Sequence, residues 1–145
     1  MAVTISIAGP DDAEALTGAL VGLVPQLSRS NPPPRLEAVR AMLDHQAITQ
    51  FLATDDDGRI VGVSTLAVFP IPTGKRAWVE DVIVDEAVNG QGIGRRLTQA
   101  MLDRARQLGC VTVDLTSRPS REAANALYKK VGFVERETNA YRYTL

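Results

Sequence analysis

The fold is decided by the stretch Val82-Ile83-Val84-Asp85-Glu86-Ala87-Val88-Asn89-Gly90-Gln91-Gly92-Ile93-Gly94-Arg95-Arg96. An apolar segment leads into a glycine-rich turn, and the turn leads into a segment with helical spacing. Glycines at positions 90, 92 and 94 allow the backbone to approach a ligand closely. The first N–H groups of a helix have no internal partner and lie at the positive end of the helix dipole. The stretch therefore predicts a strand, a turn and a helix whose start can bind a pyrophosphate.

Taken alone, this turn leaves two interpretations open, because tight turns and helix starts also use glycine for structural reasons. Two other nucleotide-binding motifs do not fit. A Walker A loop ends in Gly-Lys-Ser/Thr, whereas this chain has Gly94-Arg95-Arg96. A Rossmann fingerprint belongs to the first strand of a βαβ array, whereas this turn follows a hairpin region. Arg95 and Arg96 offer positive charge for a further phosphate.

Composition and charge indicate no particular class of binding partner. The 145 residues suit one domain with one core, and the net charge of −1 predicts no general attraction to nucleic acid or to an acidic membrane. We see no secretory signal and no apolar segment long enough to span a bilayer. Cys110 is the only cysteine and His45 the only histidine, which excludes an intrachain disulfide and predicts no metal site. A cytoplasmic protein is expected.

Hydrophobic periodicity predicts a mixed sheet covered by helices, in the order β-α-α-β-β-β-α-β-α-β-β. Three consecutive prolines at positions 32–34 predict a loop between the first two helices. The predicted strands are residues 3–8, 48–54, 60–69, 76–84 and 111–115, with two short strands from Phe133 onward. The predicted helices begin after Gly9 and near Leu36, and then span residues 92–108 and 120–131.

Residues 82–95 resemble motif A of the GNAT superfamily of N-acetyltransferases, whose pattern is Arg/Gln-x-x-Gly-x-Gly/Ala after a strand. The match departs at its first position, where Asn89 stands for Arg or Gln. A second block, Asn125-Ala126-Leu127-Tyr128-Lys129-Lys130-Val131-Gly132-Phe133, resembles motif B. The resemblance covers residues 3–143. It implies one GNAT domain over residues 1–145, with an α/β fold whose mixed, mostly antiparallel sheet has splayed fourth and fifth strands.

The resemblance also implies acetyl-coenzyme A as cosubstrate. In the family, the backbone of the fourth strand pairs with the amide groups of pantetheine, and the turn holds the pyrophosphate. In this chain, Val82, Ile83 and Val84 would make these backbone contacts. Their side chains would still pack in the core, because only the main chain contacts the cofactor. The cofactor-binding residues so implied are Val82, Ile83, Val84, Asn89, Gly90, Gln91, Gly92, Ile93, Gly94 and Arg95.

Glu80 and Asp81 are the candidates for general base, because an ammonium must lose a proton before it attacks a thioester. A carboxylate pair between apolar strand residues is unusual for a buried strand. Strand alternation puts the two on opposite faces, although a bulge would change that. Glu80 is the first candidate, but the sequence leaves open which of them faces the amine, and whether they only face solvent or pair with an arginine.

Tyr128 is the candidate general acid for the departing thiolate, on the strength of the motif B resemblance. Otherwise it is a packed helix tyrosine with a solvated hydroxyl. Asn125, one helical turn earlier, is expected to contact coenzyme A or to order a water molecule. Because the only thiol lies away from the motif, we expect direct transfer rather than an acyl-enzyme.

The expected acceptor is the primary amine of a small molecule, because the carboxylate pair suits a cationic amine and the compact chain with short loops favours a small molecule. Arg118 and Arg121 are candidates to bind an acidic group on it. The same segment would equally be a solvated loop with Ser120 as the helix N-cap. The strand at residues 80–84 and the Arg-Tyr ending are similar to glucosamine-6-phosphate N-acetyltransferases.

Other classes of function stay open. A lysine or N-terminal protein acetyltransferase would need an open groove for a peptide. A coenzyme A sensor would keep the fold without turnover. The edges of the two C-terminal strands need cover, which a second copy of the chain would provide as a homodimer.

Overall fold

A computed structural model describes residues 2–145 of the chain. They form two compact units, one that runs to Leu115 and one that spans Thr116–Leu145. The expected organisation as one domain stays a prediction. No helix among residues 2–145 is both long and apolar enough to cross a lipid bilayer.

The first unit is built on one sheet whose strands lie in sequence order. Neighbouring strands are antiparallel except for the last pair, which is parallel. This is the predicted mixed sheet. The strands are β1 (Thr4–Ile7), β2 (Ile48–Thr54), β3 (Ile60–Ile71), β4 (Gly74–Val84) and β5 (Thr112–Asp114).

Helices cover both faces of this sheet: α1 (Ala13–Leu27) and α2 (Leu36–Asp44) on one face, and α3 (Ile93–Gln107) on the other. Two neighbouring residues of β2 belong to different core layers. Phe51 packs in the cluster that contains Leu97 of α3. Leu52 packs in the cluster that contains Leu16 of α1. Successive side chains of a strand point to opposite faces. We call these the α3 face and the α1–α2 face.

The predicted elements of this unit agree with the structure to within a few residues. The turn between β2 and β3 has Gly58 in the left-handed region with φ 79°, as a tight hairpin turn requires. Gly109 follows α3 with φ 76° and ends the helix. Both turns were signalled by glycine, the residue for which a positive φ carries no steric penalty.

The second unit contains α4 (Glu122–Val131), which Gly132 ends with φ 123°. Two predictions fail here. The N-cap of α4 is Arg121 rather than Ser120. The two strands expected from Phe133 onward do not form, and no strand follows Val131 in the described chain.

The missing strands have a physical cause. A strand is stable when it has a ladder partner and one buried face. The apolar side chains that would form that face are exposed, with 84% for Val134, 91% for Tyr141 and 89% for Tyr143. The homodimer expected through these strands therefore loses its basis.

Candidate active site

A β-bulge interrupts β4 at the carboxylate pair. Thr65 of β3 pairs with Glu80, but Val63, two residues earlier on β3, pairs with Ile83, three residues later on β4. One extra residue therefore sits in β4, as in a bulge. Asp81 takes up the distortion with φ 46°, the only non-glycine residue with a positive φ among those described.

The bulge reverses which residues of β4 point to each face. Before it, Val79 packs in the cluster on the α3 face, and after it Val82 packs there as well. Ile83 packs in the cluster on the α1–α2 face. An unbroken strand would have put residues 79 and 83 on the same face.

Glu80 is the carboxylate that the strand directs to the α1–α2 face, because its neighbour Val79 packs on the other. Its Oε1 accepts a hydrogen bond of 2.8 Å from the indole Nε1 of Trp78. One oxygen of the carboxylate is thus held, and the second keeps its capacity to accept a proton. Asp81 is equally exposed but sits in the bulge, outside the regular alternation.

A polar row crosses the sheet beside Glu80. Gln50 of β2 pairs with Thr65 of β3, and Thr65 pairs with Glu80 of β4. The hydroxyl Oγ1 of Thr65 donates to Oε1 of Gln50 at 2.7 Å. Sequence analysis missed Gln50 and Thr65. The available signal was an adjacent polar pair inside each of two largely apolar strands, Thr49-Gln50 in β2 and Ser64-Thr65 in β3.

Next to this row, the ladder between β4 and β5 ends. Their ladder consists of three pairs, the last of which joins Trp78 to Asp114. β5 ends there, whereas β4 continues to Val84. The ladder thus ends where the fourth and fifth strands are expected to splay. Val82, Ile83 and Val84, the predicted partners of pantetheine, lie in the part of β4 beyond this ladder.

The glycine turn connects β4 to the start of α3. Gly90 and Gly92 have φ of 82° and 75°, and a Cβ atom on either would meet no heavy atom of the described residues within 4 Å. Packing thus does not require glycine at these two positions, but the backbone conformation does. Gly94 already belongs to the helix. Among the described residues no side chain caps the helix start, so its first N–H groups keep their donor capacity.

The two arginines of this helix start have different roles. The guanidinium Nη1 of Arg96 donates to the carbonyl of Val3 at 2.6 Å. Arg96 therefore ties α3 to the residue that precedes β1, which makes it a poor candidate for the phosphate contact considered from the sequence. Arg95 is exposed and remains a candidate.

The entrance of the turn is braced by α1. Oε1 of Gln26 accepts from the backbone N–H of Glu86 at 2.9 Å. The carboxylate of Asp85 accepts from the N–H of Ala87 at 3.0 Å. These contacts fix the path between β4 and the glycines, so the turn starts from a defined position.

Tyr128, in the second unit, is buried with 7% of its surface exposed. Its ring packs edge-to-face on Phe133 with 5.7 Å between centroids. Phe133 returns to this position because Gly132 turns the chain, and the Phe133 N–H bonds to the Tyr128 carbonyl at 2.9 Å. Burial raises the pKa of the Tyr128 phenol, and the nearby charge of Arg121 opposes the rise. The phenol is thus protonated at neutral pH.

The other predicted residues of the second unit have structural contacts or face solvent. Nδ2 of Asn125 donates to the carbonyl of Arg118 at 3.0 Å, so this amide N–H holds the loop before α4. Arg118 and Arg121 are both exposed. In the first unit, Cys110 follows α3 and packs at the edge of the core, at the helix-to-strand turn expected for it.

An opened strand beside an uncapped helix start suits an extended, anionic ligand, and comparison with known proteins identifies the class. The model of the acetyltransferase (GNAT) family matches residues 21–133. The chain belongs to this family and is an N-acetyltransferase. The family inferred from residues 82–95 and 125–133 is confirmed.

Three relatives illustrate the range of the similarity. Glucosamine 6-phosphate N-acetyltransferase 1 of Oryza sativa subsp. japonica is 32% identical over 92% of this chain and 84% of its own. N-alpha-acetyltransferase 30 of Schizosaccharomyces pombe is 33% identical over 66% of this chain and 63% of its own. The solved structure of a putative acetyltransferase from Agrobacterium tumefaciens has a TM-score of 0.83 at 28% identity, covering 97% of this chain and 99% of that one.

Proposed function

We propose that this protein transfers the acetyl group of acetyl-coenzyme A to the primary amine of a small molecule by direct attack. The observation that carries the proposal is the bulged β4. It presents Glu80 on one face of the sheet, where Trp78 holds one oxygen of the carboxylate. The same strand continues to Val84, past the end of its ladder with β5 at Trp78.

The residues present fit acetyl-coenzyme A. GNAT acetyltransferases use it as acetyl donor, and it supplies a thioester whose carbonyl carbon an amine can attack. The backbone of Val82, Ile83 and Val84 would bind its pantetheine arm, because their strand extends past the ladder with β5. The open turn at Gly90 and Gly92 and the first N–H groups of α3 would bind the pyrophosphate. Asn89, Gln91, Ile93, Gly94 and Arg95 complete this segment.

Glu80 is the proposed general base. A substrate amine arrives mostly as an ammonium, and the proton must leave before its lone pair can attack. The unheld oxygen of Glu80 takes this proton, directly or through water. Asp81 is the alternative base, since it is equally exposed, but its place in the bulge puts it outside the regular alternation.

Tyr128, the residue expected as general acid, is proposed to donate a hydrogen bond to the departing thiolate. An ordinary thiol has a pKa of about 8.5 and an ordinary phenol about 10, and burial raises the pKa of Tyr128 further. Complete proton transfer from this phenol to a thiolate is therefore uphill. Its contribution is a hydrogen bond that strengthens as negative charge develops on sulfur. We propose no acyl-enzyme. Cys110 is the only thiol of the chain, and it follows the C-terminal end of α3, whereas the glycine turn is at the N-terminal end.

The similarity to the rice enzyme supports an amino sugar phosphate as acceptor, with Arg118 and Arg121 as candidate partners of its acidic group. The similarity to the fission yeast enzyme supports a second candidate, the N-terminus of a peptide. The two differ in extent, because the first spans 92% and the second 66% of this chain. We therefore place the small molecule first.

The test is release of coenzyme A from acetyl-coenzyme A, followed with a thiol reagent. The acceptor panel contains glucosamine 6-phosphate, amino acids, polyamines and short peptides. Reactions without acceptor correct for the reagent's reaction with Cys110. Turnover with an amino sugar phosphate or another small amine is the expected result. Turnover with peptides alone would establish the second candidate. Binding of acetyl-coenzyme A without turnover on any acceptor would favour a sensor.

A further inference from the structure

We infer that Thr65 is a specificity residue, which accepts a hydrogen bond from a hydroxyl on the carbon next to the acceptor's amine. The inference rests on the proposed function, because Glu80 marks where the amine lies. It narrows the acceptor class to amines with a neighbouring hydroxyl. Four residues carry the argument: Gln50, Thr65, Trp78 and Glu80.

The orientation of the Gln50 amide is decided by backbone carbonyls. Gln50 is buried with 4% of its surface exposed. Its Nε2 donates to the carbonyl of Ser64 at 3.0 Å and to that of Phe51 at 3.3 Å. Both donor hydrogens of the amide are thus in use, and its oxygen must face Thr65.

The hydroxyl of Thr65 is thereby restricted to one role. It has a single hydrogen, which it donates to Oε1 of Gln50 at 2.7 Å. Toward any other group it offers only lone pairs. Thr65 is half-buried, which leaves part of the residue accessible on the face of the sheet that it shares with Glu80.

Glu80 lies directly opposite Thr65 on the neighbouring strand. Such pairs on one face have Cβ atoms about 4.5–5.5 Å apart. One oxygen of Glu80 already accepts from Trp78, and the other is an acceptor as well. The pair therefore offers two acceptors side by side and selects a ligand with two adjacent donors.

Charge decides what the second donor is. Glu80 carries one negative charge and balances one ammonium. A second ammonium at the neutral Thr65, beside the buried Gln50, would have no counter-charge and would lose hydration. A hydroxyl adds the second donor without adding charge. An amine with a hydroxyl on the adjacent carbon therefore fits best.

The test compares trans-2-aminocyclohexanol with cyclohexylamine, which share the ring and the amine and differ in the hydroxyl. Binding is followed by the indole ¹H–¹⁵N signal of Trp78, the only tryptophan of the chain, because its N–H contacts Glu80. This readout needs no turnover. We expect the full-length protein to bind the amino alcohol about 3- to 10-fold more tightly, the value of one hydrogen bond.

Thr65→Val keeps the shape and removes the acceptor, so the two ligands should then bind with equal affinity. Thr65→Ser keeps the hydroxyl and should keep the preference. Thr65→Val leaves the buried oxygen of Gln50 without its hydrogen-bond donor, which costs stability. The double variant Thr65→Val/Gln50→Leu avoids this cost, because both partners become apolar. The same loss of preference is expected in it.

The inference is overturned if the wild-type protein binds both ligands equally, if neither shifts the indole signal, or if a folded Thr65→Val variant keeps the preference. Acetyl transfer is measured separately with the same two amines. Transfer without a preference would sink this inference and leave the proposed function standing. A binding preference that depends on Thr65, with no acetyl transfer to either amine, would support this inference and argue against the proposed function.

Discussion

The indole Nε1 of Trp78 donates a 2.8 Å hydrogen bond to Oε1 of Glu80, two residues further along the same strand. Residues i and i+2 of a strand share a face, so the bulge that follows Glu80 leaves this pair intact. The contact holds one carboxylate oxygen, and the chemistry assigned to Glu80 uses the other.

Replacing Glu80 by Gln should lower kcat/KM by about 100- to 10,000-fold, because an amide cannot take the ammonium proton. The loss should be smaller at high pH, where more of the acceptor is already a free amine. The matched variant is Asp81→Asn, since asparagine tolerates the left-handed conformation of residue 81. A larger loss in Asp81→Asn would identify Asp81 as the base. Steady-state kinetics at several pH values provides the measurement.

Replacing Trp78 by Phe keeps most of the aromatic ring and removes the donor to Glu80. We expect kcat/KM for the acceptor to fall about 2- to 10-fold, the value of one hydrogen bond, while the KM for acetyl-coenzyme A changes little. An equal rise in the KM values of both substrates would indicate that Trp78 only supports the sheet. Thermal unfolding shows whether stability has changed as well.

Replacing Gly92 by Ala should destabilise the fold by about 1–2 kcal/mol, because residue 92 is left-handed, and should weaken acetyl-coenzyme A binding. Gly109→Ala is the matched control. Its φ of 76° is close to the 75° of Gly92, and neither position has a crowded Cβ site within the described chain. Equal stability loss in both, with weaker binding only in Gly92→Ala, is the expected pattern. Calorimetric titration with coenzyme A measures it, and weaker binding in both would argue against the turn as the pyrophosphate site.

Replacing Tyr128 by Phe should lower kcat about 100-fold, the value of one donor to developing negative charge, while the affinity for coenzyme A falls much less. The phenyl ring keeps the packing on Phe133, and only the hydroxyl that stabilises the thiolate is lost. Comparing kcat with the Kd of coenzyme A from titration distinguishes a role in the reaction from a role in packing. If both decline by the same factor, Tyr128 is a packing residue.

Burial raises the pKa of Tyr128, which makes stability depend on pH in the alkaline range. A raised pKa in the folded state means that the folded state holds the proton more tightly. The stabilising effect is complete below about pH 10, the ordinary value for tyrosine, and is lost as pH rises through the folded-state pKa.

The free energy of unfolding in urea should therefore fall more steeply above pH 10 in the wild type than in Tyr128→Phe. Tyr141→Phe is the control, because Tyr141 is 91% exposed and its removal should leave the alkaline slope as it is. A slope identical in wild type and Tyr128→Phe would contradict the assignment.

The sequence was most informative where short-range chemistry decides the structure. Apolar periodicity placed the sheet and helices of the first unit, and glycines marked positions 58, 92 and 109, because only glycine adopts a positive φ without strain. The strands expected after Phe133 failed because a strand depends on partners distant in the chain. The alternating pattern alone does not guarantee them.

Sequence by itself determined the family, the glycine turn and the presence of a carboxylate pair at Glu80 and Asp81. Only the tertiary structure decided which carboxylate of the pair stays in the regular strand and which one lies in the bulge. The bulge follows from the register between β3 and β4, and it places Glu80 opposite Thr65 while Asp81 absorbs the distortion. The hydrogen bonds that join Gln50 to Thr65 likewise link residues on different strands. Such contacts arise only when the strands pair, because burial of one face of the sheet and the geometry of the turns set the register between them.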